Sequence, residues 1–120
     1  LRTLYPDLIG HATHSKKAEW LIIDSNLSIE SCFTSNFKLN TVKFLEKYHS
    51  IWAIEKGLPV LILTDGALFF RSNLSEEYSI ALRRLVSNIK RFILVLEKGI
   101  SHIFGSELDK FELKESIKTF

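Results

Sequence analysis

Residues Pro59–Phe70 read PVLILTDGALFF, an apolar, partly β-branched run that stops abruptly at Asp65-Gly66. Such a run is the pattern of a strand buried on both faces, as in the parallel sheets of α/β domains. Asp65 then falls at the strand's carboxyl end, the edge where open parallel sheets place their ligand sites. A carboxylate there needs a metal, a donor or water, because desolvating an unpaired charge is costly.

The flanking sequence extends the pattern in both directions. On the amino side, Asn40 is expected to cap a helix from Thr41 to Lys56, with Phe44, Tyr48 and Ile51 on one stripe and Gly57 as its stop. Earlier still, Trp20–Ile23 reads as a short strand ending at Asp24-Ser25-Asn26, and Ser28–Phe33 as a second, antiparallel strand. Leu1–Lys17 is ambiguous, since Tyr5-Pro6 and Gly10 argue against one long helix. On the carboxyl side, Ser75 is expected to cap a helix whose buried stripe is Tyr78, Leu82, Leu85 and Ile89. Glu76 and Glu77 then sit in its first turn, near the positive end of the dipole. Phe92–Leu96 (FILVL) reads as a further buried strand ended by Glu97-Lys98-Gly99, and Glu107–Lys118 as a closing helix. Alternation of this kind predicts a small three-layer α/β domain with a mostly parallel sheet flanked by helices.

Length and composition bound the answer. The chain has 120 residues, the size of a single domain spanning residues 1–120, and 46% hydrophobic content with nine Phe supplies a core. Two Pro and five Gly leave no room for a low-complexity linker. A net charge of +2 permits nucleic-acid binding without implying it. Cys32 is the only cysteine, so no internal disulfide and no Cys₄ zinc site can form. A reducing, cytoplasmic setting fits that usage. No apolar run is long enough to span a bilayer and no signal peptide is visible, so no membrane association is expected. The chain contains no Met, which is expected of a trimmed or incomplete version of a longer protein.

Acids at strand ends suggest a chemistry. Asp24 closes the first expected strand, Asp65 the next buried one, and Glu46 or Glu55 lies on the helix between them. Carboxylates so placed can hold Mg²⁺ or Mn²⁺, which prefer oxygen ligands and can activate water against a phosphodiester. Lys98 would stand on the same sheet edge and neutralise developing charge. The competing reading is plain: Asp-Gly is a common turn former, and Glu46 between Lys43 and Lys47 can simply be solvated.

The segment from Glu46 to Phe104 resembles the middle of NurA-type nucleases, which have an RNase H-like core. It offers a helical Glu46, the strand LILTDGAL ending in Asp65-Gly66, a helix from Ser75 and VLEKGIS carrying Lys98. That resemblance implies metal ligation by Asp24, Glu46 and Asp65 beside Lys98. LIIDSNLSI is also similar to the opening strand of PIN-domain nucleases, although the later spacing fits that family poorly.

Other groups carry weaker signals. Arg83, Arg84, Lys90 and Arg91 fall on the helix expected from Ser75, in pairs seven apart, and could contact phosphates of a nucleic acid. Basic residues late in a helix are equally explained by its dipole. His11 and His14 (HATH) are spaced as metal ligands can be, but without a clear third partner a zinc site is set aside. Cys32 reads as a buried structural thiol. Neither a Walker A loop nor a GxGxxG pattern is present. The expectation is therefore a divalent-metal-dependent, nuclease-like domain acting on nucleic acid, active or degenerate. The alternative is a non-catalytic α/β interaction domain that pairs with a protein partner or forms a homodimer.

Overall fold

In a computed structural model of the chain, the described residues are 6–13, 25, 27–43, 49–86 and 88–119, with the side chains of 84–86 excepted. They form a small sheet of three parallel strands, β1 (Leu8–Gly10), β2 (Ser28–Ser31) and β3 (Val60–Ile62), lying in the order β1-β2-β3. The register pairs Ile9 with Ile29 and Ile29 with Val60, so these side chains form one apolar row across the sheet. Gly10, Glu30 and Leu61 form the adjacent row and point to the opposite face. Parallel neighbours need long crossovers, and helices fill the crossover from β2 to β3.

Those helices are α1 (Phe33–Lys38) and α2 (His49–Glu55). After β3 come a one-turn helix α3 (Ala67–Phe70) and α4 (Leu74–Ile80), which runs into a π-helical stretch over Ala81–Val86. Then follow α5 (Ile89–Ile100) and α6 (Glu107–Lys118). Helix α2 packs on β2 and β3, and α5 packs on β3.

The expected buried strand is present: all three residues of β3 are buried, and Pro59 precedes it where no ladder N–H is required of it. The Pro59 carbonyl accepts a hydrogen bond from Ile29 N at 3.0 Å. Gly57 ends α2 with a left-handed φ of 71°, as its position predicts. The closing helix is also where periodicity places it. Ser106 and Asp109 there form a reciprocal capping box, satisfying backbone donors at the first turn.

Several expectations are corrected. Phe92–Leu96 is the middle of helix α5, not a strand. An apolar run of five does not distinguish a strand from a helix face. Here Asn88 decides the matter, its side chain accepting hydrogen bonds from Lys90 N (2.9 Å) and Arg91 N (3.2 Å). Consequently Phe92 is buried while Leu94 is exposed. Strand β2 pairs parallel on both sides, so the antiparallel reading is withdrawn. Asn40 has a φ of 57° and closes the turn after α1, its N–H bonding to Phe37 O. Asparagine tolerates that left-handed conformation, which is why it serves equally at either end of a helix. Asn73, not Ser75, caps α4 by accepting from Glu76 N at 2.9 Å. The strand expected at Trp20–Ile23 lies outside the described residues.

The core has two adjoining parts. Phe33, Val42, Ile62, Ala81 and Phe92 form one, and Leu27, Ile29, Ala53, Leu58 and Val60 the other. Val60 and Ile62 on a single strand belong to different parts, so β3 joins them. Among the described residues no helix is long and apolar enough to cross a membrane.

Candidate functional site

The three strands are parallel, so all their carboxyl ends lie at one edge of the sheet. The residues leaving that edge are His11 after β1, Cys32 after β2 and Asp65 after β3. His11 Nε2 lies 3.9 Å from Asp65 Oδ2, and the two side chains are 39% and 41% exposed. That separation is too long for a direct hydrogen bond. It is short enough for both groups to reach one water or one metal ion between them. His11 Nδ1 is buried and has no hydrogen-bond partner among the described residues.

The backbone that presents this pair is held in uncommon conformations. His11 and Ala12 both have a φ of 54°, and Ala12 N bonds back to Gly10 O at 2.6 Å, closing a three-residue turn centred on His11. Left-handed backbone costs an L-residue about 1–2 kcal/mol. On the other side, Gly66 has a φ of 42° and starts α3 directly after Asp65. Helix α3 ends at Arg71, again left-handed with a φ of 47°. Strain collected around one edge is a pointer to function.

Cys32 is buried between these loops. Its thiol is pushed up to about 12, first by burial and then by the negative charges of Asp65, Glu77 and Glu30. It is therefore a neutral thiol in an acidic setting and not a nucleophile. Glu30 lies on the face shared with Gly10, where a Cβ on Gly10 would stand 3.5 Å from Glu30 Oε2.

Of the four acids and bases singled out as catalytic, the structure describes two. Asp65 is at the carboxyl edge as expected. Lys98 is not beside it. It lies on α5, and its Nζ donates to Gly57 O, which precedes β3 and so belongs to the amino edge. The displacement follows from Phe92–Leu96 being helical, since α5 runs back along β3. Asp24 and Glu46 lie outside the described residues, and the exposed Glu55 ends α2 one residue before the turn at Lys56-Gly57, at the amino edge. Arg83 is exposed in the π-helical stretch, Lys90 and Arg91 are exposed in the first turn of α5, and the side chain of Arg84 is outside the description. These basic residues do not share one helix, because α5 starts afresh at Asn88; the seven-residue spacing therefore places no common face.

Sequence reasoning weighs His11 only as half of the His11/His14 spacing and sets it aside as a zinc ligand; its place at a strand end is not read. Strand β1 is only three residues long, too short for periodicity to reveal, so the His that follows it does not read as a strand-end residue. The remaining signal is the sequence Leu-Ile-Gly-His itself, two apolar residues followed by glycine. Among the described residues, no group of three or more His, Cys, Asp or Glu side chains could hold a metal.

Comparison with known proteins gives this edge its context. The family model for adenosine deaminase matches residues 1–120. The chain is 29% identical over 123 residues to the N6-methyl-AMP deaminase of Danio rerio, covering 97% of this chain and 35% of the relative. It is 30% identical over 94 residues to an adenosine deaminase of Pectobacterium atrosepticum, covering 78% of this chain and 28% of the relative. Among solved structures, the N6-mAMP deaminase of Arabidopsis superimposes with a TM-score of 0.87 at 24% identity, over 97% of this chain and 35% of that one. An ADAL–IMP complex superimposes with a TM-score of 0.86, also at 24% identity, over 96% of this chain and 34% of that one.

The chain thus spans about a third of the length of these relatives. The structural neighbours have the TIM-barrel type of deaminase fold, and three parallel strands in sequential order are what an arc of such a barrel contains. The RNase H-like expectation is corrected accordingly. The resemblances to NurA-type and PIN-domain nucleases are overturned, for they rested on short motifs and on a strand that is in fact α5. With them go the nuclease activity, the Mg²⁺ or Mn²⁺ it required and the non-catalytic alternative. Matched over its whole length, the chain belongs to the adenosine deaminase family.

Proposed function

We propose that this chain carries part of a purine deaminase site, one that replaces the amino group at C6 of an adenosine- or AMP-type substrate with oxygen. The observation that carries the reading is the His11–Asp65 pair, 3.9 Å apart at the carboxyl edge of a parallel sheet. Barrel enzymes place their chemistry at that edge. The names of the relatives, adenosine deaminase and N6-methyl-AMP deaminase, support the substrate class.

The reaction adds water across the C6–N bond: oxygen bonds to C6, the C6–N bond breaks and the amine leaves with a proton. Two tasks follow for the protein. A water must be held and deprotonated as it attacks, and a proton must reach the leaving nitrogen. An imidazole nitrogen can accept a proton and pass it on, so His11 Nε2 is suited to moving it. Asp65 Oδ2, facing the same point, orients the water and stabilises positive charge on the ring. The turn that fixes His11 at a φ of 54° keeps the imidazole aimed across the gap.

One imidazole nitrogen and one carboxylate oxygen are donors that suit zinc better than an all-oxygen cation. Asp65 would hold such an ion, with His11 beside it. The described residues supply no third ligand, where catalytic zinc takes three. When bound, zinc would make the attacking water more acidic. The test is turnover of adenosine and of N6-methyl-AMP by the zinc-loaded full-length protein, read as release of ammonia or methylamine. The reading predicts turnover that chelation abolishes. A folded, zinc-loaded protein that deaminates neither compound contradicts it.

A further inference from the structure

Glu77 is the least explained group in the molecule. Its side chain is fully buried, at 0% exposure, and among the described residues no cation pairs with it. A buried carboxylate of this kind persists only where donors satisfy it. The donors are two backbone amides 44 and 43 residues earlier in the chain. Phe33 N donates to Glu77 Oε2 at 2.7 Å, and Thr34 N donates to Oε1 at 3.2 Å and to Oε2 at 3.4 Å. Phe33 and Thr34 open helix α1, and the residue before them, Cys32, makes no side-chain capping bond. Glu77 thus does from a distance what an N-cap serine or aspartate does locally.

The other end of α1 is tied to the same part of the chain. Lys38 Nζ, in the last turn of α1, donates to Phe70 O at the end of α3. Helix α1 follows β2, and α3 and α4 follow β3. The segment after β2 is therefore held at both ends by the segment after β3, which begins at Asp65.

We propose that Glu77 is a positioning residue of the carboxyl-edge site: with Lys38 it clamps the loop after β2 to the loop after β3 and so fixes where Asp65 stands relative to His11. The catalytic part of this proposal rests on the deaminase reading above. The clamp itself does not.

The experiment compares wild type, Glu77→Gln and the double variant Glu77→Gln/Cys32→Ser in the full-length protein. Glutamine keeps the volume but turns a donor toward one of the two amides, and the hydroxyl introduced by Cys32→Ser offers a local cap. Two readouts are taken: amide hydrogen exchange, and kcat with KM per folded enzyme. In Glu77→Gln, exchange rises in peptides covering residues 31–39 and also 63–71, while α6 is unchanged. The kcat falls about tenfold or more with KM within about twofold, as misplacement of a reacting group predicts. In the double variant the local cap restores protection to residues 33–38 but restores neither kcat nor protection of 63–71. The proposal is overturned if exchange rises only in 31–39, if it rises throughout the chain, if adding Cys32→Ser restores everything, or if kcat per folded enzyme is unchanged. Should wild type itself deaminate nothing, the deaminase reading fails, and the exchange pattern still decides the clamp.

Discussion

At the carboxyl end of the sheet, His11, Ala12 and Arg71 all sit at positive φ, and among the described residues a buried carboxylate, Glu77, is satisfied by backbone amides alone. At the amino end the contacts are of another kind. Gly99 of α5 lies so close to β3 that a Cβ there would stand 2.8 Å from Val60 O, and Lys98 ties α5 to Gly57 O. One end spends conformational energy to hold side chains in place. The other is built for close packing. The contrast teaches that charge alone does not locate the site: Lys98 and Asp65 flank the same strand, but only Asp65 stands where the backbone is strained and a second functional group faces it.

The contrast can be broken at the packed end first. Gly99→Ala forces a methyl group against the Val60 carbonyl, which cannot give way without moving β3. Unfolding in urea should show a loss of about 1–3 kcal/mol, as for overpacked cores. Stability within a few tenths of wild type would mean that α5 does not rest on β3 as described.

At the strained end the opposite sign is expected. Ala12→Gly relieves the left-handed conformation at a φ of 54°, while glycine loses more freedom on folding. The balance should stabilise the protein by up to about 1 kcal/mol, measured by the same denaturation. A destabilised Ala12→Gly would show that Ala12 carries no strain.

An effect confined to alkaline pH concerns Cys32. Its thiol is raised from 9.0 to about 12 in the folded protein, so between those values the folded state holds a proton that the unfolded state has lost. Stability from this group is full below pH 9 and drains as pH rises toward 12. Cys32→Ala should flatten that alkaline decline. Alkylation of Cys32 in the native protein should remain slow at pH 9 and rise only toward pH 12. Fast alkylation of folded protein near about pH 8 would contradict the burial that raises the thiol.

How much of this was legible in the sequence depends on the length of each signal. Val60–Ile62 and its terminal Asp65 were readable because a continuous apolar run ends at a turn dipeptide. Helix α6 was readable from its period, and its capping box appears only in the structure. Phe92–Leu96 misled because five apolar residues fit a strand and a helix face equally, and the deciding cap, Asn88, lies outside the run. Asn40 misled because asparagine both starts and ends helices. Glu77 read as an ordinary first-turn acid, since nothing local shows that its partners are Phe33 and Thr34, far back in the chain. His11 was noticed in HATH but set aside, because three residues of β1 give no period and its partner Asp65 is brought to it only by the parallel order of the strands.

The most direct test of the central claim sets Asp65→Ala against Lys98→Ala in the zinc-loaded, full-length protein, with turnover of adenosine and N6-methyl-AMP measured per folded molecule. Removing a carboxylate that faces the reacting water should lower kcat by about 10²-fold or more, in the range of general acid–base catalysis. Lys98→Ala should leave kcat within about twofold while costing some stability through the lost tie to Gly57. Equal losses in both variants, or wild-type turnover in Asp65→Ala, would contradict the assignment of the carboxyl edge as the working site.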